Sequence, residues 1–372
     1  MSTLTPADIS ALQTQVVWSV FALAFVLGAI MQKSNFCTMG AVSDIVNMGD
    51  WTRMRMWLAA IAVAILGTQA LAAIGWLDLS KSFYTVGKMP WLSNLLGGLL
   101  FGLGMVLASG CGSKTLVRIG GGSLKSLVVF ITLGLFAYMA MKGIFAVARV
   151  ASVDQVVLDL GKGQDLPTLL GASTSPNVRF IIAALVALPM IIFALLGREF
   201  RRAEPLITSI LIGLAVVTFW YLSGKVGYVA EDPESLQERF LGTNSGKPES
   251  FSFVAPIAYT LELFMFWSDK SKLFTVGITA TLGMIVGSFA ISLLTRQFRW
   301  EGFRDAEDTA NHLVGAALMG VGGVTALGCT VGQGLSGVST LALGSFIAFS
   351  GIIVGALLGF KYQTWRIDQT EL

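Results

Sequence analysis

Charge is what this chain has least of: 13% of its 372 residues are Asp, Glu, Lys or Arg, against 54% hydrophobic. A soluble domain of this size cannot cover its surface with so few charges, so a water-soluble globular fold is excluded. The net charge is only +3, and the basic residues stand at the ends of apolar runs, which argues against nucleic-acid binding. Histidine is nearly absent, His312 being the single copy, so metal catalysis and a Ser-His-Asp triad have almost no material. The three cysteines, Cys37, Cys111 and Cys329, are far apart and form no CxxC pair, which argues against a disulfide framework or a zinc site. No cofactor is implied. The first basic residue is Lys33, so the charged start of a cleavable signal peptide is missing, and residues 1–14 read as a polar tail before a retained first helix.

Long apolar segments are what the chain has instead. Crossing a bilayer takes about 20 apolar residues. Hydropathy predicts helices at roughly 16–31, 56–77, 92–109, 124–148, 178–197, 205–223, 252–268, 273–294, 311–328 and 338–361. The 42 glycines suit membrane helices packed through small residues. The expectation is an all-α polytopic membrane protein forming one membrane domain, 1–372. Its first half, 1–150, carries Cys37 and Cys111, and its second half, 178–372, carries Cys329. Polar connections at 154–177 and 225–250 read as exposed loops, the first separating the halves.

One unit is used twice. Residues 96–111 align without a gap on residues 314–329, 218 positions later, and Gly97/Gly315, Leu100/Leu318, Gly102/Gly320, Gly104/Gly322, Val106/Val324, Ala108/Ala326, Gly110/Gly328 and Cys111/Cys329 are identical pairs. Lys and Arg in short loops set orientation. With Arg53 and Arg55 in the cytoplasm, Arg198, Arg201 and Arg202 join them and both long loops lie outside. Arg296, Arg299, Arg304, Lys361 and Arg366 join them only if one segment between 252 and 294 fails to span. The two copies then run in opposite directions, an inverted repeat of the kind common in transporters.

The glycines of the repeat allow close helix packing, which accounts for most of them. Packing accounts less well for Gly110-Cys111-Gly112, Gly328-Cys329, Gly120-Gly121-Gly122 and Gly332-Gln333-Gly334. Clustered glycines break helices, and irregular backbone at membrane depth is tolerated only where it is buried or lines a polar cavity. Re-entrant Gly-Cys loops on a pathway are therefore expected. A lone thiol is usually a small buried hydrophobe. Here two thiols recur at equivalent repeat positions and the third stands in the polar turn after Lys33. A thiol is a weak, polarizable donor and acceptor, suited to a sulfur-bearing ligand that must be released at each step. Lys114 and Arg118 would lie on nearly one face of a short helix, either snorkelling at the interface or drawing an anion toward Cys111. Asn35, Ser113, Thr330, Gln333 and Ser336 supply hydroxyls and amides for oxyanion groups. Asp44 is read as the partner of a base or a cap, Glu262 as a functional candidate or a helix-end residue, and His312 as a helix-end residue.

The turn Ser34-Asn35-Phe36-Cys37-Thr38-Met39-Gly40-Ala41, the stretch from Gly110-Cys111-Gly112-Ser113-Lys114 to Gly120-Gly121-Gly122, and Gly328-Cys329-Thr330-Val331-Gly332-Gln333-Gly334 together resemble the YeeE/YedE family of inner-membrane sulfur-compound transporters. The resemblance covers most of the chain. It implies uptake of thiosulfate or a related inorganic sulfur anion across a bacterial inner membrane. It also implies an hourglass in which loops from both faces meet, and a path lined by Cys37, Cys111 and Cys329. A small cytoplasmic sulfur carrier of the TusA type is the partner it implies. Lys114 departs from the small neutral residue expected after the central cysteine, which keeps other sulfur or selenium anions open. A membrane sulfurtransferase that passes persulfide sulfur to a carrier, and a scaffold with packing cysteines, are the readings from other classes.

Overall fold

The computed structural model of the chain describes residues 5–171, 175–233 and 236–370. Its helices are α1 (Pro6–Ser34), α2 (Thr38–Met48), α3 (Thr52–Ala73), α4 (Trp91–Leu107), α5 (Gly112–Gly120), α6 (Leu124–Lys142), α7 (Ile144–Ala151), α8 (Leu166–Leu169), α9 (Pro176–Leu195), α10 (Ala203–Tyr221), α11 (Val254–Met265), α12 (Val276–Leu294), α13 (Ala306–Thr325) and α14 (Leu343–Thr370). Strands among the described residues are confined to two short antiparallel pairs in loops, β1 (Lys88–Met89) with β2 (Leu158–Asp159) and β3 (Tyr228–Val229) with β4 (Arg239–Phe240). Among the described residues, eight stretches are long and apolar enough to cross a membrane: Pro6–Met48, Thr52–Ala73, Trp91–Gly120, Leu124–Lys142, Pro176–Leu195, Ala203–Val226, Val276–Leu294 and Leu343–Arg366. The protein is a multi-pass helical membrane protein.

Local chemistry explains where these elements depart from the hydropathy reading. Helix α1 begins at Pro6 rather than after a polar tail reaching residue 14, because Thr5 and Asp8 form a capping box: the Asp8 N–H donates to Thr5 Oγ1 at 3.3 Å and the Thr5 N–H to Asp8 Oδ2 at 2.9 Å. Residues 1–4 lie outside the described part. The run expected at 124–148 breaks at Gly143 (φ −104°, ψ −155°), which separates α6 from α7. Helix α11 has 12 residues, about 18 Å at 1.5 Å per residue, against the roughly 30 Å of a hydrocarbon core. It is too short to span alone. Helix α14 starts at Leu343 instead of near 338, since a π-helical turn at Gly332–Gly337 and the left-handed Leu341 (φ 62°) precede it.

Helices α4 and α13, which carry the two repeat copies, lie against each other backbone to backbone. A Cβ on Gly97 would stand 2.7 Å from the Gly322 carbonyl oxygen, and one on Gly322 2.7 Å from that of Gly97. Gly104 and Gly315 are reciprocal in the same way, at 2.6 Å each. The early glycine of each copy thus meets the late glycine of the other, so the two helices cross antiparallel. A Cβ on Gly102 would collide with the Ile352 carbonyl of α14, and one on its repeat mate Gly320 would stand 2.6 Å from the Leu133 carbonyl oxygen of α6. Each copy therefore packs on the helix that follows the other copy.

Most arginines stand at one end of the bundle. Arg53, Arg118 and Arg299 line one cavity there, Gly197 of the α9–α10 turn lies against Arg55, and Arg366 pairs with Glu307 at 2.9 Å. The opposite end carries both β pairs, α7, α8 and the ion pairs Lys81–Glu238 and Arg149–Asp154.

Replacing Gly102 or Gly104 by Val should lower the thermal midpoint of the detergent-solubilised protein, at a cost of about 1–3 kcal/mol, because the new side chain enters the backbone of α14 or α13. Gly302→Ala, at a position with nothing within 4 Å, should leave the midpoint unchanged. A Gly104→Val protein as stable as the parent would contradict the close crossing.

Candidate functional site

All three cysteines stand where a helix has just been broken. Helix α1 ends at Asn35 in the left-handed conformation (φ 51°), and Cys37 becomes the N-cap of α2, its sulfur accepting the Gly40 N–H at 3.5 Å. Phe36 anchors the turn by stacking on Trp57 at 4.6 Å. The two repeat copies end in the same turn. After α4, Ser109 (φ 56°) donates its N–H to Val106 O at 3.2 Å and Gly110 to Met105 O at 2.8 Å; after α13, Leu327 (φ 58°) donates to Val324 O at 3.1 Å and Gly328 to Gly323 O at 2.8 Å. This is the Schellman arrangement, here with a non-glycine residue in the left-handed position. Cys111 then caps α5, and Cys329 opens the turn that leads into Gly332–Gly337.

The thiols are free and buried, with exposures of 5% for Cys37, 1% for Cys111 and 0% for Cys329. Cys37 and Cys111 are side-chain neighbours. Ser113 Oγ lies 3.3 Å from Cys111 Sγ. Across from this pair, Cys329 accepts the Gly332 N–H at 3.4 Å and lies beside the backbone of Phe253, the residue that precedes α11. The side chain that follows it, Thr330, faces Cys111 without completing a hydrogen bond. Gln333 donates through Nε2 to Ala326 O, while its Oε1 is buried without a partner.

Lys114 and Asn35 close the cluster on one side, with Lys114 Nζ donating to Asn35 Oδ1 at 3.2 Å. Arg118 sits one turn further, its guanidinium donating to Ser109 O at 2.8 Å. Asn35, Cys37, Lys114 and Arg118 line a cavity of about 400 Å³ together with Arg53 and Arg299, and with Glu301 as its one acidic wall residue the cavity carries net positive charge. A second cavity, about 360 Å³, enters at the opposite end past Lys142, Arg149, Glu249 and Ser252 and reaches Gly328, beside Cys329. Burial pushes the Glu249 carboxyl above the usual carboxylate range, in spite of its hydrogen bonds from Ser245.

The structure thus brings Asn35, Cys37, Cys111, Ser113 and Lys114 together, sets Arg118 in the same cavity, and lays Cys329 near Cys111 from the second copy, with Gln333 one turn further along that copy. Other residues singled out from the sequence are held in ion pairs. Asp44 pairs with Arg53 Nε at 3.1 Å. Glu262 takes Lys272 Nζ at 2.6 Å and the Tyr138 hydroxyl at 3.0 Å. His312 is buried inside α13 rather than standing at a helix end, its Nδ1 lying 2.7 Å from Asp308 O and 3.0 Å from Asp308 Oδ1. Thr38 and Phe253 escaped the sequence reading. The signal for Thr38 was its place directly after Cys37; Phe253 lies outside the legible repeat and left none.

Residues 33–358 match the protein family described as Sulphur transport. Among curated proteins, the chain is 27% identical over 358 residues to the thiosulfate transporter TsuA of Escherichia coli (strain K12), covering 92% of each chain. It is 25% identical over 355 residues to the thiosulfate transporter TsuA of Spirochaeta thermophila (strain ATCC 700085 / DSM 6578 / Z-1203), covering 91% of this chain and 96% of that one.

A variant that keeps only Cys37, with Cys111 and Cys329 changed to Ala, should react with a charged, membrane-impermeant methanethiosulfonate reagent from the Arg53–Arg299 face and resist it from the other. Equal labelling from both faces of oriented vesicles would contradict the cavity assignment.

Proposed function

Because the chain belongs to the sulphur-transport family, we propose that it takes up thiosulfate across a bacterial inner membrane by passing the anion between cysteine thiols. The observation that carries this reading is where the thiols stand: the cationic cavity reaches Cys37, whose side-chain neighbour is the buried Cys111, and the opposite cavity reaches Gly328, next to Cys329. The positive-inside rule assigns the Arg-rich end to the cytoplasm. Thiosulfate then enters past Gly328 and meets Cys329, Cys111 and Cys37 in turn. The short helices α2 and α11 and the two Gly-Cys turns act as re-entrant elements that narrow the molecule to an hourglass waist at the thiols. The basic end is also where a TusA-like sulfur carrier would receive the product.

The chemistry suits weak, sequential holding. The terminal sulfur of thiosulfate accepts S–H···S contacts that are individually feeble, while the sulfonate oxygens take N–H groups at broken helix ends and the field of Lys114 and Arg118. Conduction requires binding favourable enough for entry and weak enough for exit, and a chain of soft contacts meets both demands. Ser113 and Gln333 add polar edges to the path. The relatives' names support thiosulfate as the anion; Lys114 makes related sulfur or selenium oxyanions the natural competitors.

A second reading rests on the side-by-side placement of Cys37 and Cys111. In a membrane sulfurtransferase, a cysteine thiolate attacks the sulfane sulfur of thiosulfate, the S–S bond of the substrate breaks, sulfite leaves with the electron pair, and the persulfide moves from one cysteine to the next toward a carrier. In proteoliposomes given thiosulfate labelled in both sulfurs, transport delivers the intact anion to the lumen, whereas transfer leaves labelled sulfite outside.

Cys111→Ala should reduce uptake to the level of empty vesicles while the protein keeps its elution profile and thermal midpoint. Normal thiosulfate-dependent growth of a sulfur-auxotrophic host carrying that variant would refute the relay.

A further inference from the structure

We propose that Thr330 is a substrate-binding residue: its hydroxyl holds the oxygen end of the anion at the crossing from Cys329 to Cys111. The proposal rests on the transport reading above and adds a residue to it. Under the 218-residue repeat, Thr330 stands where the first copy has Gly112, so the position directly after the repeat cysteine carries a hydroxyl only in the second copy. Thr330 is completely buried, faces Cys111 and has no hydrogen-bond partner for Oγ1. An unmet hydroxyl in a dry interior is destabilising and calls for an explanation.

The reason it is unmet is the break that precedes it. Hydroxyls inside helices bond the carbonyl four residues back, as Thr115 does to Cys111 O at 3.0 Å and Thr325 to Val321 O at 2.8 Å. Thr330 follows the left-handed Leu327 and the turn at Gly328, so no preceding helical turn presents it with a carbonyl, and its hydroxyl is left facing the thiols. Thr38, directly after Cys37, repeats the pattern with a buried Oγ1 that also lacks a partner. A thiol beside a hydroxyl matches an anion with a soft sulfur at one end and hard oxygens at the other, since the hydroxyl is the stronger donor and takes the oxygens. An anion with its sulfur on Cys111 has its oxygens beside Thr330 and leads with sulfur toward Cys37.

The test is thiosulfate uptake by proteoliposomes of the full chain carrying Thr330→Val, which removes the hydroxyl at nearly constant volume, with Thr330→Ser and Thr330→Ala beside it. Loss of a hydrogen bond to a charged ligand should raise KM by roughly tenfold or more for Val and Ala, and thiosulfate should no longer protect Cys111 from alkylation in those variants. Thr330→Ser should restore both. The alkylation rate without thiosulfate and the thermal midpoint should stay at the parental values, which a purely structural role would shift. Parental KM and protection in a folded Thr330→Val or Thr330→Ala protein would overturn the assignment while leaving the transport reading intact. Failure of the unmodified protein to take up thiosulfate would overturn the transport reading and this proposal with it.

Discussion

Helices α4 and α13 touch through backbone, and most of the architecture depends on that contact. Four glycines let two carbonyl ladders come closer than any side chain would permit, with Gly97 against Gly322 and Gly104 against Gly315. In a bilayer there is little hydrophobic gain from bringing helices together, so dispersion between closely apposed backbones has to supply the attraction. Once the pair is set antiparallel, the turn after each helix is placed with respect to the other. Ser109 and Leu327 take the left-handed conformation, the chains reverse, and Cys111 and Cys329 come to lie in the interior.

The frame is duplicated but the side chains on it are not. Lys114 and Arg118 in the first copy correspond to Gly332 and Ser336 in the second, and Gly112 corresponds to Thr330. Two short helices, α2 and α11, start beside the two repeat cysteines, one capped by Cys37 and the other by Phe253. A nearly symmetric scaffold thus holds a cationic site on one side and a neutral one on the other. In the transport proposed above, such an asymmetry would draw an anion across the middle without a deep well at any single point, because the positive groups face an aqueous cavity where their field is partly screened.

Elsewhere the chain meets the difficulty of polar groups in an apolar body by pairing them. Gln69 is completely buried and spends both ends of its amide, donating to Ser339 O at 3.0 Å and accepting from Arg179 at 2.8 Å, while Arg179 in turn holds Asp165 at 3.2 Å. Lys125 joins Asp308 at 2.8 Å in the same fashion. Removing one member of such a pair leaves a buried charge or amide uncompensated, which is far more costly than the pair is stabilising. Among the described residues the buried hydroxyls left without a partner are those of Thr38, Thr68, Tyr84 and Thr330, and Thr38 and Thr330 each stand directly after a cysteine.

Much of this was legible from residue order alone. Apolar run length located most of the membrane helices, since crossing a hydrocarbon layer demands a minimum number of uncharged residues, and identity between two sixteen-residue stretches exposed the duplicated unit. What run length cannot register is a break whose cause is a single backbone torsion, as at Gly143, or a start dictated by a cap, as at Thr5 and Pro6. Charge placement asked for one segment between 252 and 294 that does not span, but the hydropathic run did not single out α11 as that segment, because its apolar neighbours continue the run. The chain itself dictated membrane residence, the repeat and the identity of the three thiols, all of which follow from side-chain chemistry and spacing. Only the folded structure decided that Cys37 meets Cys111 and that Thr330 reaches across from the other copy, because those are contacts between segments far apart in sequence, and distance along a chain carries no information about proximity in space.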